Sequence, residues 1–434
     1  MALLSVGLPL LGVALRAAWP TSTLGTLPTG AAAPGGAPAT TLQMAAATLI
    51  VPLLVALGAV SIAWPTCWLL RSPRRGTRIG LALLAVPMLM PSYLAYAGFG
   101  LGRAPGTWIG EIVNRWPSNA NVLFGQSLAV AGLILWCWPL ATLVMLGAVR
   151  RVEQEHLDQL ALTGAGRWAS LVQRLAMVRG VVLVAIGVVT LLMLGSAVPL
   201  HLAQIPTLAI DLWARLALSP TSTAVWFEAW PLLIAAAAGS AWVTRWACAD
   251  QPHEARSTRS PDGPRGRLLI PGAAWLLAVA LPMWLFAASV EYPRLLVDFW
   301  RENARSVIDS VMVAGAVAAV LTLLALAAWY AVEHRGARRV VAVGLGLQMI
   351  GLLLPGVLIG SAISGMLNHP ALGEAGRWLS DSTGSVVLGH VARFGALGTL
   401  AGLWLSRLEA QSLRDARRLA GGEGVRVWLG LAVR

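Results

Sequence analysis

Residues 122–148 read VLFGQSLAVAGLILWCWPLATLVMLGA, without one charged side chain, and the run is closed by Arg150 and Arg151. A helix needs about 20 mostly apolar residues to cross the hydrocarbon core of a bilayer. This stretch is long enough to cross, and the arginine pair marks the end that meets water and anionic headgroups. The same criterion applied outward gives ten candidate spans, near 1–15, 46–70, 79–101, 122–148, 180–200, 227–245, 268–290, 307–332, 340–364 and 385–406. The first begins at Met1 with no basic segment before its apolar run, which argues against a secretory signal peptide. The Ala/Pro/Gly-rich stretch behind it, 28–41, reads as a loop.

Composition agrees. The chain has 434 residues, 57% apolar and only 12% charged, with mean hydropathy +0.71. Soluble domains carry about 25% charged residues, so lipid must be the solvent for much of this surface. The net charge is +13, and every basic residue is arginine. A nucleic-acid-binding protein would gather such charge on a polar domain; here it lies in short loops between apolar runs. Cys67, Cys137 and Cys248 form no CxxC pair and have neither zinc-site nor disulfide spacing.

The arginines alternate by loop. One set of loops holds Arg71, Arg74, Arg75 and Arg78, then 150–179, 245–267, 335–339 and 407–434, with 23 arginines; the opposite loops hold 8. The rich side is expected to be cytoplasmic, with the N-terminus on that side too. The stretch 250–267, DQPHEARSTRSPDGPRGR, is the one clearly polar linker. It divides the chain into a first half, 1–249, and a second, 268–434.

The halves echo each other. DQLALTG at 158–164 and DARRLAG at 415–421 both read D-x-x-x-L-x-G, each follows a long apolar span on the arginine-rich side, and the offset is 257. Apolar residues follow at matching positions: Trp168, Leu171, Val172 and Leu175 in one copy, Val425, Trp428, Leu429 and Ala432 in the other. Both sets fall on one helical face. Each loop therefore reads as a helix, a glycine turn and a second, amphipathic helix, with glycine supplying a positive φ. A second echo pairs PSYLAYA at 91–97 with PGVLIGS at 355–361, each behind an arginine-rich hairpin. Parallel repeats of six spans would return the chain to the same side each time. On that scheme two apolar spans follow the loop of the first half, whereas the sequence given stops at Arg434 inside the second loop. The expectation is an incomplete second repeat, as in a truncated permease.

The loop at 158–175 resembles the E-A-A…G signature of permeases in binding-protein-dependent (type I) ABC importers, and LTGAGRW at 162–168 is similar to their L-G-A-S-x-W form. Two such loops in one chain resemble the fused permeases of the ferric iron and thiamine subfamily. Asp158 and Asp415 stand where that family carries Glu, and Met177 and Arg434 where it carries a closing proline. The resemblance implies an all-α, polytopic permease of an ATP-driven importer in a bacterial inner membrane. It implies cytoplasmic ATPase subunits and a periplasmic or lipid-anchored substrate-binding protein as partners, with membrane lipid around the bundle. The coupling residues it implies are Asp158, Leu160, Gly164, Trp168 and Leu171, with Asp415, Ala416, Gly421, Val425 and Trp428 in the second copy. An amphipathic helix lying on the membrane is the alternative for both loops.

His390 and Arg393 lie inside the tenth span, one turn apart, and are candidates for the translocation pathway. Arg393 has the alternative of contacting cavity water or a carbonyl of the bundle. The chain has no lysine, so no G-x-x-x-x-G-K-[ST] loop can occur, and no H-E-x-x-H or paired carboxylates lie within a span. The sequence therefore suggests no enzyme, no cofactor, no metal and no nucleic-acid partner, and any ATPase would be a separate subunit. The rival readings are a secondary transporter, which would want paired acids at mid-membrane, and a non-transporting membrane subunit.

Overall fold

The computed structural model describes residues 41–71, 75–104, 107–152, 166–218, 223–249, 269–290, 294–332 and 337–408, with single residues 159, 162, 164 and 292 between them. Among them there is no strand; the fold is all helical. Among the described residues six helices are long and apolar enough to cross a membrane, or up to eight spans if each of two bent helix pairs counts as one. The chain is a multi-pass membrane protein. Of the ten expected spans, 1–15 lies outside the described residues.

The described helices are α1 (Thr41–Leu69), α2 (Arg75–Leu89), α3 (Ser92–Leu101), α4 (Trp108–Asn114), α5 (Ser118–Arg151) and α6 (Arg167–Leu194). Then come α7 (Val198–Leu202), α8 (Leu208–Leu218), α9 (Thr223–Glu228), α10 (Trp230–Cys248) and α11 (Leu269–Ala288, with a π turn at Leu276–Ala280). The last five are α12 (Arg294–Val332), α13 (Ala337–Leu353), α14 (Gly356–Leu367), α15 (Gly373–Asp381) and α16 (Thr383–Leu408).

Several expectations change in detail. The run 79–101 is two helices bent by 86° at Met90–Pro91, and 340–364 is two helices bent by 111° at Leu354–Pro355. The expected span 227–245 becomes α10, of 19 residues, whose apolar run is closed by Arg245 and which is not among the six. Helix α12 has 39 residues, about 58 Å at 1.5 Å per residue. It extends the expected span 307–332 backwards through Arg294, Asp298, Arg301, Glu302 and Arg305, a stretch taken from sequence as a loop.

Contacts divide the chain into two compact units, and each combines segments from both sides of the 250–267 linker. The unit of 25–215 and 254–302 is centred on α1, α5 and α6. Helix α1 presents Ala56, Ala59, Ala63 and Cys67 at zero exposure. Small residues at i, i+3 and i+4 let helix backbones approach where lipid supplies no hydrophobic drive. Opposite lie Leu133, Trp138, Met145 and Val149 of α5, with Val182, Ala185 and Val189 of α6 in the same core. Helix α11 joins this unit, and Trp275 Nε1 donates to the Leu83 carbonyl at 3.1 Å.

The unit of 216–253 and 303–434 packs α10 on α13 and α13 on α16. Gln348 of α13 is fully buried, and its Oε1 accepts from Thr399 Oγ of α16 at 2.6 Å. Gly398 and Gly402 of α16 face the Leu321 and Ala325 carbonyls of α12 so closely that a Cβ at either position would collide with them. This is a small-x-x-x-small contact.

Candidate functional site

The turn before α6 and the first residues of that helix carry the coupling-loop residues that the structure describes, Gly164, Trp168 and Leu171. Gly164 has φ +63°, as a glycine turn requires, and is exposed. Its chain neighbours aside, no heavy atom of the described residues lies within 4 Å of the position its Cβ would take. The turn therefore needs glycine for its backbone angle, not for room inside this chain. Helix α6 begins three residues later. It is kinked at Val178 (φ −121°, ψ 15°), which separates an entry segment, 167–177, from the apolar span.

On that entry segment Trp168 is 81% exposed and Val172 59%, and Leu171 and Leu175 are exposed as well; Leu162 in the turn is 86% exposed. These apolar residues lie on the helical entry segment and are exposed, as are most of their neighbours from 168 to 177. Asp158 and Leu160 of the same loop lie outside the described residues, as do Asp415, Ala416, Gly421, Val425 and Trp428 of the second copy.

Arginines next to the apolar runs also bind helix-terminal carbonyls. Arg71, 6% exposed, donates to the Val152 carbonyl at the end of α5, and Arg150 donates to the Leu70 carbonyl at the end of α1 at 3.2 Å. Each helix thus supplies an arginine to the other's C-terminus. Those carbonyls have no partner within the helix and carry the negative end of its dipole. Both Arg71 and Arg174 also lie over the Trp68 ring, at 5.7 and 5.2 Å. In the other unit Arg407 donates to the Ala247 and Ala249 carbonyls and Arg338 to that of Cys248, closing the end of α10.

Arg150 and Arg407 are 257 residues apart, the offset of the two D-x-x-x-L-x-G loops. The two helix breaks, at Pro91 and Pro355, are 264 residues apart. Trp136 of α5 donates from Nε1 to the Met90 carbonyl at the first break, at 2.7 Å. At the second break the guanidinium of Arg393 lies against Gly356, filling the place a Cβ would occupy. Trp136 and Arg393 are again 257 apart. Pro91 (φ −56°, ψ 133°) and Pro355 (φ −53°, ψ 131°) have matching backbones.

His390 and Arg393 are not directed to one point. His390 is exposed and its Nδ1 bonds the Val386 carbonyl one turn back at 2.9 Å, whereas Arg393 is half-buried at the break and lies over the Phe394 ring at 5.6 Å. Arg393 thus packs against the break in the helix. Among the described residues no group of three or more His, Cys, Asp or Glu could hold a metal ion.

Comparison with known proteins finds no matching family model, no matching curated protein and no matching solved structure. Fold and composition define the class, a multi-pass helical membrane protein, and the finer reading rests on this chain's own residues.

Proposed function

We infer that the chain is the membrane-spanning permease of an ATP-binding-cassette importer, built from two parallel repeats in a bacterial inner membrane. The observation that carries the reading is the apolar face at the Gly164 turn. Trp168, Leu171, Val172 and Leu175 are exposed on a short helical segment behind a positive-φ glycine, at the arginine-rich end of the bundle. A segment kinked away from its span at Val178 can take up a push from a cytoplasmic ATPase and pass it to α6. Alternating access would follow as the helices move about the packed seams.

The repeat is supported by three pairs of residues at one offset: Gly164 with Gly421, Trp136 with Arg393, and Arg150 with Arg407. Trp136 and Arg393 each lie against a proline break, the prolines being 264 residues apart, and Arg150 and Arg407 each meet a helix C-terminus, that of α1 and that of α10. A substrate-binding protein on the opposite side would deliver cargo.

Cysteine cross-linking tests the reading. Trp168→Cys should cross-link, in inside-out vesicles of the native host, to a protein whose peptides include a G-x-x-x-x-G-K-[ST] loop, and ATP should change the yield. Cross-linking of Trp168→Cys to lipid analogues alone would favour the membrane-surface alternative.

A further inference from the structure

We propose that a cavity at the arginine-poor end of α5, distinct from the coupling turn, binds the oxyanion head of a small organic anion. The cavity has a volume of about 340 Å³ and is lined by Tyr96, Arg103, Asn121, Val122, Gly125, Leu202, Ala203 and Gln204, all in one compact unit. That volume is at the lower end of small-molecule sites, which begin near ~300 Å³, and exceeds what one inorganic ion needs.

Its chemistry has one sign. Arg103 spends Nη2 on the Asn121 carbonyl and side-chain oxygen, which fixes the guanidinium and leaves Nη1 for a ligand; Nε is enclosed by the protein and closed to the cavity. Gly125 makes room for the guanidinium, since a Cβ there would collide with Nη1. The Tyr96 hydroxyl, the Asn121 amide nitrogen and the Gln204 side-chain amide have no hydrogen-bond partner among the described residues.

Gln204 is the only described non-glycine residue with positive φ, at +58°, a conformation in which glycine or asparagine is the usual choice. Its carbonyl is tied to Gln126 Nε2 at 3.4 Å. A residue held in a rare conformation beside a cavity points to use of its side chain there. No aspartate or glutamate lines the cavity. A fixed guanidinium among neutral donors, with no carboxylate to neutralise it, fits a carboxylate or phosphate. Val122, Leu202 and Ala203 give the organic part an apolar wall. This chemistry is the same whether or not the chain couples to an ATPase.

The oxyanion can be carried by a soluble metabolite or by a lipid headgroup, and two probes separate them. The purified full chain in neutral detergent is titrated by calorimetry with glycerol phosphate, with glycerol as the uncharged control. In parallel it is titrated with short-chain phosphatidylglycerol, with phosphatidylcholine as the zwitterionic control. The proposal expects saturable binding of at least one anionic probe and none of its control. Arg103→Gln should weaken it roughly ten-fold or more, and Tyr96→Phe, which keeps the ring and the packing, about three-fold. Glycerol phosphate binding assigns the site to a soluble anion; binding of phosphatidylglycerol alone assigns it to lipid. Failure of both probes to bind, or binding unchanged in both variants, overturns the proposal. The Tyr96→Phe result stands even if Arg103→Gln, which also removes the tie to Asn121, fails to fold.

Discussion

Replacing Gly164 separates backbone strain from steric obstruction, because the turn is open around it. With φ at +63° and, its chain neighbours aside, no heavy atom of the described residues within 4 Å of a built Cβ, alanine meets no clash but must adopt the left-handed region at a cost of about 1–2 kcal/mol. Asparagine is larger yet tolerates that region better. The turn sets the start of α6, whose first bond runs from Ser170 N to the Gly166 carbonyl at 3.0 Å. If opening of this turn limits exchange, Gly164→Ala should speed hydrogen exchange at Ser170 and its neighbours roughly 5- to 30-fold, that energy converted at 1.4 kcal/mol per decade. Gly164→Asn should change it much less. Hydrogen–deuterium exchange with peptide-level mass spectrometry, on protein in detergent, measures both. Exchange in the asparagine variant as fast as in the alanine variant would refute the conformational argument, as would no change in either.

Three further outcomes follow from the packing and the charge pattern. Arg71→Ala removes a charged hydrogen bond to the Val152 carbonyl and should cost about 1.5–3 kcal/mol, lowering the thermal inactivation midpoint, whereas the exposed Arg78→Ala should leave it within about 0.5 kcal/mol. Equal midpoints for the two would remove the clasp from the account. Gly402→Leu should force α16 from the Ala325 carbonyl of α12 and sharply reduce folded yield, while Gly360→Leu, with open space around it, should be tolerated; the opposite order in size-exclusion profiles would contradict that seam. In cells exposed to a membrane-impermeant thiol reagent from outside, Arg115→Cys should label, and Arg78→Cys and Gly164→Cys should not, with strong labelling at Gly164→Cys reversing the topology.

The amino-acid sequence makes the long spans legible because length and apolarity alone specify them; 122–148 lies wholly within α5 and 385–406 within α16. The breaks at Pro91 and Pro355 were legible only as a matched pair of motifs. Pro52, Pro65 and Pro139 lie inside continuous helices of the same chain, so proline alone does not dictate a break. What accompanies the break is a partner such as Trp136, 46 residues from the carbonyl it meets. The charged start of α12 is hidden in the sequence because its charged residues end the apolar window without ending the helix. The arginine clasps were read as topology signals, since their acceptors lie 80 or more residues away. At the candidate site the glycine turn and the face of Trp168 and Leu171 were legible from spacing, being local. The role of Arg393 was not, because it depends on Gly356 of another helix.

If, as we propose, ATP hydrolysis by a separate subunit drives this bundle through the Gly164 turn, an ATPase should travel with the chain. The most direct measurement is purification of the tagged chain from its native host, followed by assay of ATP hydrolysis and of its dependence on the exposed face. The account predicts a stoichiometric ATPase in the preparation, lost on Trp168→Asp and Leu171→Asp while the chain itself stays folded. A folded chain that purifies without any ATPase, and moves solute down an ion gradient in proteoliposomes without ATP, would contradict it.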